Sequence, residues 1–319
     1  MNEKPNVSVR LGILSLLFLA AAIALLIFRH DADIRSGESL EAMRESAAER
    51  KTQDPEPETR AESASVTSES ETVAPEPSET VPTFTTDTAE HQAGSGDGSP
   101  EISSSETTDV LPVVSGDLAD NPYLDSFLAN DDMGAWLKID GTVIDYPVMW
   151  TPRDENYYLE RNFSGNPDKN GCLILDTDSC LNPLTTNLII HGHNMKSGAM
   201  FGTLQKYSDA GYCREHSLIT LYAEDCERRY EVIAVFRSQV YRKTDQVFKF
   251  YKFFQANTPE EFDDFYQNIK ALSLYDTGVT AAFGDRFITL STCAYHVENG
   301  RFVVVAKEIE SGAHYQSFR

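Results

Sequence analysis

An acidic stretch near the N-terminus divides this chain into a part that can fold and a part that cannot. Residues 31–110 contain 20 acidic and five basic side chains and a single aromatic, Phe84. Such a segment cannot bury enough apolar surface to offset its conformational entropy. We therefore interpret residues 31–118 as a disordered acidic linker that precedes one folded domain at residues 119–319. A short helix over residues 41–51 is compatible with the sequence, but we expect it to be solvated.

The charge of the whole chain limits its partners. Fifty acidic and 27 basic side chains give a formal net charge of -23. A protein that binds nucleic acid needs clustered Lys and Arg to displace the counterions of the phosphate backbone. No basic stripe is visible in this sequence, so we exclude nucleic acid as a partner.

An apolar run precedes the acidic stretch. Leu11 to Phe28 form 18 uncharged residues, and a helix of this length spans roughly 27 Å, close to the hydrocarbon thickness of a bilayer. Lys4 and Arg10 precede the run, which favours a cytoplasmic N-terminus. No cleavage site of small residues follows it. These features predict that residues 1–30 form a cytoplasmic N-terminus and an uncleaved transmembrane anchor. The chain is then a single-pass protein of the cell membrane with an extracytoplasmic domain.

After residue 118 the sequence is typical of a mainly-β domain. Eight short runs rich in β-branched and aromatic residues alternate with turn residues. They are 135–139, 142–146, 172–175, 187–191, 217–222, 231–237, 286–293 and 301–307. Many short strands at regular spacing indicate a barrel or a sandwich, and a closed barrel would leave no exposed edges.

Helix signals interrupt this pattern. Residues 258–261, Thr-Pro-Glu-Glu, are a capping box with proline at the first helical position. Four apolar residues follow at helical spacing: Phe262, Phe265, Ile269 and Leu272. We predict a helix there, a shorter helix at 198–206, and an N-terminal helix at 121–130 that packs on the domain.

The chain has five cysteines: Cys172, Cys180, Cys213, Cys226 and Cys293. An odd number leaves at least one thiol unpaired. The first four lack a set of polar neighbours, and we assign them no role. Cys293 differs because it ends the apolar run 286–293, on the same strand face as Thr289 and Ser291. A strand face that becomes polar towards a thiol favours a functional site over a core position.

The position of Arg301 relative to Cys293 depends on the turn between their strands. If residues 294–300 form a wide connection, Arg301 lies beside Cys293 across the pair. If Asn299-Gly300 forms a two-residue hairpin instead, Glu298 faces Arg301 and the cysteine lies roughly 16 Å further along the strand. The residues alone leave both registers open.

A third strand end carries two histidines. The apolar run 187–190 leads into His191-Gly192-His193, where a side chain can leave the core. A lone histidine at such a place is most often a packing residue. A free cysteine and an arginine at other strand ends favour a shared site.

In combination these motifs resemble the signature of sortases, the cysteine transpeptidases of Gram-positive cell surfaces. The signature is Thr289-Leu290-Ser291-Thr292-Cys293, then Arg301 eight residues later, with a strand that ends at Gly192-His193. Residues 131–307 resemble the class B branch throughout, and the helix after Thr258 is similar to the helical insertion of that branch. Similar stretches lie at 134–142, 144–148, 158–163 and 192–201.

The resemblance implies an eight-stranded sortase-type β-barrel with an N-terminal helix and a helix inserted before the cysteine strand. It implies Cys293 as nucleophile, His193 as general acid and base, and Arg301 as the group that stabilises the oxyanion or the substrate. We expect Ser291 to hydrogen-bond substrate. His191 falls outside the family position, and we expect it either to support the site from behind the catalytic residues or to be a packing residue.

The reaction implied by the resemblance is transpeptidation through a thioester. A surface protein with a C-terminal sorting motif is cut after threonine, and its acyl group passes to an amine of a peptidoglycan precursor. The predicted anchor fits this geometry, because donor proteins emerge at the outer membrane face. The chemistry needs no cofactor, and no metal is expected.

Four alternatives stay open at this point. A sortase of this type could polymerise pilin subunits. A hydrolytic cysteine protease would use the same thiol and imidazole, with water in place of the amine. Cys293 and His296 with His191 and His193 could bind zinc, although Arg301 beside a divalent cation is unfavourable. A non-catalytic surface binding module would use the polar strand face for docking.

Overall fold

The computed structural model describes residues 21, 23, 34–52, 115–116 and 121–315. Residues 34–52 are helical and form α1. The other helices and strands follow in chain order: β1 (Ser115–Gly116), α2 (Leu124–Ala129), β2 (Met133–Lys138), β3 (Asp145–Met149), β4 (Leu173–Leu175), β5 (Asn187–His191), α3 (Ala210–Glu215), β6 (Leu218–Ala223), β7 (Cys226–Gln239), α4 (Pro259–Leu272), β8 (Phe287–Cys293) and β9 (Gly300–Tyr315). Two short 3-10 helices lie at Leu204–Ser208 and Phe250–Lys252.

Strands β2 to β9 close into a barrel. Their order is β9-β7-β6-β2-β3-β4-β5-β8, and a second pairing of β8 with β9 closes the sheet. The pairs β3–β4 and β5–β8 are parallel, and the other pairs of the barrel are antiparallel. The predicted eight-stranded barrel is confirmed.

The alternation of side chains along the strands decides which residues fill the barrel. One buried apolar cluster has members from all eight strands, among them Leu188, Leu290 and Val304. Since neighbouring residues of a strand point to opposite faces, Ser291 and Cys293 lie on the outer face of β8. The barrel interior is therefore a packed core, and a site built on Cys293 has to lie outside it.

Helix α4 covers part of the outer surface. The Thr258 side chain accepts a hydrogen bond from the backbone N–H of Glu261 at 3.3 Å, and the Glu261 carboxylate accepts one from the N–H of Asn257 at 2.7 Å. Thr258 is therefore the N-cap, as the sequence predicts, while the Glu261 carboxylate reaches one residue beyond the position of a standard capping box. Phe262 and Phe265 are buried in a cluster with residues of β7, β8 and β9. Their burial fixes the helix on the barrel, next to the cysteine strand.

The second predicted helix lies further along the chain than residues 198–206. Those residues end in a 3-10 turn, and α3 begins only at Ala210. The Asp209 side chain accepts a hydrogen bond from the backbone N–H of Tyr212 at 2.8 Å. This N-cap sets the start of the helix.

Helix α1 occupies residues that the sequence analysis assigns to a solvated linker. Leu40, Met43 and Ala47 lie at spacings of three and four, and they pack against the apolar cluster around Trp136. Burying this narrow stripe stabilises the helix although eight of its side chains are charged. Residues 31–33, 53–114 and 117–118 of the predicted linker lie outside the described residues, so their disorder stays a prediction.

Basic side chains fix α1 to the barrel. Arg44 donates two hydrogen bonds, of 3.0 and 2.6 Å, to the backbone carbonyl of Asp145. Lys51 donates one of 2.6 Å to the phenol of Tyr222. These acceptors come together only when the barrel folds. The contacts therefore cannot be predicted from the sequence of residues 34–52 alone.

The expected single-pass location at the cell membrane is corrected by the structure. In the described part of the chain no helix is both long and apolar enough to cross a bilayer. Helix α1 has 19 residues but carries eight charged side chains. Of the run from Leu11 to Phe28 only Ala21 and Ile23 are described, and the rest lies outside the described residues.

Candidate active site

The connection between β8 and β9 places Arg301 beside Cys293. The two residues are direct partners in the antiparallel ladder, which is the first of the two registers left open by the sequence. The wide loop closes through a 2.9 Å hydrogen bond from the backbone N–H of Ala294 to the carbonyl of Gly300. A Cβ on Gly300 would overlap the Ala294 carbonyl. Asn299 has a φ of 54°, so Asn299-Gly300 ends a wide loop and does not form a two-residue turn.

The parallel pairing of β5 with β8 brings the histidines to the same place. His191 is the ladder partner of Ser291, and His193 follows two residues later. The Asn194 amide donates a hydrogen bond of 2.7 Å to the Cys293 carbonyl. This hydrogen bond joins the ends of β5 and β8 at the residue that carries the thiol.

The residues predicted to be functional line one cavity of about 390 Å³ on the outer face of the barrel. Its lining includes Cys293, His193, Arg301, Ser291 and His191. The first three side chains are half-buried, so the thiol is open to a substrate. Three distant stretches of the chain meet here.

Cys293 is less buried than most of the other cysteines. Cys172, Cys213 and Cys226 are buried. Burial raises the pKa of Cys172 to about 12 and that of Cys226 to about 12, and it also raises the pKa of Cys213. A thiol with so high a pKa stays protonated and is a poor nucleophile. Cys180 is half-buried but does not line the cavity.

A backbone carbonyl orients the candidate histidine. The His193 Nε2 atom lies 2.8 Å from the carbonyl oxygen of Leu159. Because a carbonyl oxygen only accepts hydrogen bonds, we assign the proton of the neutral ring to Nε2. The other nitrogen, Nδ1, is then left to exchange protons with a reacting group. No side-chain motif marks this contact, so the sequence analysis missed it.

The guanidinium of Arg301 has no acidic partner among the described residues. Its Nη1 donates only to the backbone carbonyls of Asn299 and Gly300, at 3.3 and 3.0 Å. Arginine keeps its charge at any physiological pH. The cavity thus contains a fixed positive charge that can stabilise a developing oxyanion.

Ser291 presents a buried hydroxyl to the same cavity. The residue is 2% exposed, and its Oγ has no hydrogen-bond partner among the described residues. A buried hydroxyl without a partner is costly. A substrate group that pairs with it would remove that cost.

The described residues contain one group of side chains spaced like metal ligands. Glu155, Asp176 and His191 also line the cavity, and their ligand atoms lie within 4.8 Å of one another. Neither Cys293 nor His296 belongs to this group, so the zinc set considered from the sequence is not assembled. The Asp176 carboxylate accepts a hydrogen bond from the His191 ring at 3.1 Å. Glu155 and Asp176 are not predicted from the sequence, because single acidic residues in loops carry no distinguishing pattern.

A closed barrel with an accessible thiol, an imidazole and a guanidinium in one outer cavity defines a cysteine-dependent acyl-transfer enzyme. Comparison with known proteins identifies the family within this class of enzymes. A family model for the sortase domain matches residues 137–309. Sortase B of Listeria monocytogenes is 35% identical over 205 residues, which cover 63% of this chain and 77% of that protein.

Solved structures agree with this result. Sortase B from Bacillus anthracis in complex with AAEK1 has 30% sequence identity and a TM-score of 0.51, over 59% of this chain and 84% of that one. A Staphylococcus aureus sortase B–substrate complex has 25% identity and a TM-score of 0.53, over 60% and 86%. This chain belongs to the sortase family of cysteine transpeptidases and, within it, to the class B branch.

Proposed function

We propose that this enzyme cleaves a C-terminal sorting motif after threonine and transfers the acyl group to an amine of a cell-wall precursor. The observation that carries the proposal is the shared cavity of Cys293, His193 and Arg301. The solved sortase B–substrate complex supports a substrate of the same kind for this chain.

In the first half of the reaction, the sulfur of Cys293 attacks the carbonyl carbon of the threonine residue. The thiol proton passes to Nδ1 of His193, and the developing oxyanion lies against Arg301. When the peptide bond breaks, His193 returns that proton to the departing amine. The acyl group then remains on Cys293 as a thioester, and the C-terminal fragment leaves.

In the second half, the acceptor amine attacks the thioester carbonyl. His193 removes a proton from the amine, the carbon–sulfur bond breaks, and the proton returns to the sulfur of Cys293. A new amide bond joins the donor protein to the acceptor. We propose that the Ser291 hydroxyl hydrogen-bonds the bound donor peptide, since Ser291 lines the cavity and its hydroxyl has no partner in the described part of the chain.

The fate of the thioester tests this function. Purified protein is incubated with a panel of peptides that carry threonine at the cleaved bond, with and without added triglycine. We expect the amide product to replace the hydrolysed product as the triglycine concentration rises. If hydrolysis were the sole outcome at every concentration of triglycine and of a second amine such as a lysine peptide, a hydrolytic cysteine protease would be the better description.

Replacing Arg301 by lysine is expected to lower kcat by about 100-fold, because a planar guanidinium with several donors becomes a single ammonium group. Peptide turnover under saturating substrate measures this change. Arg237→Lys is the matched control, since Arg237 is an exposed residue of the neighbouring strand β7. Turnover of the Arg301 variant equal to that of the control would mean that Arg301 has only a packing role.

A further inference from the structure

The loop between β3 and β4 supplies the carbonyl that holds His193. This loop folds back on itself next to Leu159. The N–H of Cys172 donates to the carbonyl of Tyr158 at 3.0 Å, and the N–H of Asp168 donates to the carbonyl of Glu160 at 3.0 Å. The returning chain, just before β4, therefore runs alongside the residues that flank Leu159.

Gly171 lies at the point of closest approach. Its φ is +59°, a left-handed conformation that favours glycine. A Cβ at this position would overlap the carbonyl oxygen of Leu159 and lie 2.9 Å from the carbonyl oxygen of Tyr158. The obstacles are backbone atoms, which cannot move aside as the end of a flexible side chain can. Any side chain at residue 171 has to displace the carbonyl that pairs with His193.

We infer that Gly171 is a positioning residue of the transpeptidation reaction. By leaving room for the Leu159 carbonyl, it keeps the His193 proton on Nε2 and the ring in the orientation that presents Nδ1 to the thiol and the amines. The inference rests on the proposed function, because it assumes that His193 is the proton-transfer group.

A side chain at residue 171 should lower the rate strongly because it changes the position of the His193 ring. A proton-transfer group has to lie within hydrogen-bond reach of the atoms it serves. Displacing such a group by about 1 Å costs on the order of 100-fold in rate. A ring without its carbonyl partner can also adopt the opposite tautomer, in which Nδ1 already carries the proton and cannot accept the one from Cys293.

The same loop provides a matched control at Gly165. Its φ is +79°, so alanine there has the same kind of left-handed backbone strain. A Cβ at Gly165 would meet only the phenol oxygen of Tyr157, at 3.6 Å, an ordinary contact. Gly171→Ala and Gly165→Ala therefore share the strain, and only the first pushes against the Leu159 carbonyl.

The test compares the two variants with the wild-type protein in peptide turnover, thermal unfolding and nitrogen-15 NMR of the histidine rings. We expect Gly171→Ala to lower kcat by about 100-fold with KM within about threefold, and Gly165→Ala to keep kcat within about threefold. The NMR spectra should show His193 protonated on Nε2 in the wild-type protein and in Gly165→Ala. This signal should be lost in Gly171→Ala, at a temperature where all three proteins are folded.

Two results would overturn the inference. One is a kcat of Gly171→Ala within threefold of that of Gly165→Ala. The other is an active wild-type enzyme whose neutral His193 carries its proton on Nδ1, a result that would overturn the inference even if Gly171→Ala does not fold. A wild-type protein that turns over none of the threonine peptides would instead refute the proposed function.

Discussion

Cys293→Ala is expected to abolish turnover of sorting-motif peptides, with a loss on the order of 10⁴-fold or more, because the variant has no atom that can form the thioester. Release of the C-terminal fragment, followed by mass spectrometry or fluorescence, measures the loss. Arg301 and Ser291 also line the cavity, but neither can replace the thiol as a nucleophile.

The same variant should keep its fold. Cys293 is half-buried at the end of β8, so removing its sulfur leaves no sealed cavity in the core. The expected melting temperature is close to that of the wild-type protein. Cys180→Ala is the matched control, since Cys180 is also half-buried but lies outside the cavity. Retained turnover in Cys293→Ala, or equal losses in both variants, would refute the assignment of the nucleophile.

His193→Ala is expected to lower kcat by about 10²- to 10⁴-fold, the usual range for the loss of a general acid and base. The effect appears in both halves of the reaction, because the proposed mechanism routes each proton through the same ring. Steady-state turnover and single-turnover formation of the thioester measure the two halves separately.

The control for this variant is His191→Ala, two residues earlier on the same strand end. His191 also lines the cavity, but its ring is hydrogen-bonded to the Asp176 carboxylate. We expect its loss to lower kcat by less than about tenfold. The reverse ranking of the two variants would mean that His191, paired with an acidic residue, is the proton-transfer group.

The strand pattern carries much of the information about the fold. Alternation along β8 predicts that Thr289, Ser291 and Cys293 share one face, and the structure has this face outside the barrel core. The capping box at Thr258 predicts the start of α4, because the stabilising contacts lie within four residues of one another. Local signals of this kind are visible in the sequence.

The register of β8 and β9 beside Cys293 cannot be predicted from local sequence signals. Asn299-Gly300 fits a two-residue hairpin and also the end of a wide loop. The choice depends on the close approach of Gly300 to the Ala294 carbonyl, a contact between residues six apart. The sequence singles out Cys293, His193, Arg301 and Ser291, and the structure places them in one cavity. Their roles in the reaction stay predictions.

Two features have no signal that a single sequence could reveal. The partner of His193 is a backbone carbonyl, and every residue has one, so Leu159 does not differ from its neighbours. Helix α1 is highly charged and begins the stretch that reads as a linker, and the acceptors for Arg44 and Lys51 exist only on the folded barrel. Both features depend on contacts between distant parts of the chain.

Trapping the acyl-enzyme shows whether the reaction passes through a thioester on Cys293. The wild-type protein is mixed with the threonine peptides, quenched in acid during turnover, digested and analysed by mass spectrometry. We expect the fragment containing Cys293 to gain the mass of the peptide acyl group. Hydroxylamine should remove this group, and Cys293→Ala should never acquire it. Turnover with an unmodified Cys293, or an acyl group on a different residue, would rule out Cys293 as the nucleophile.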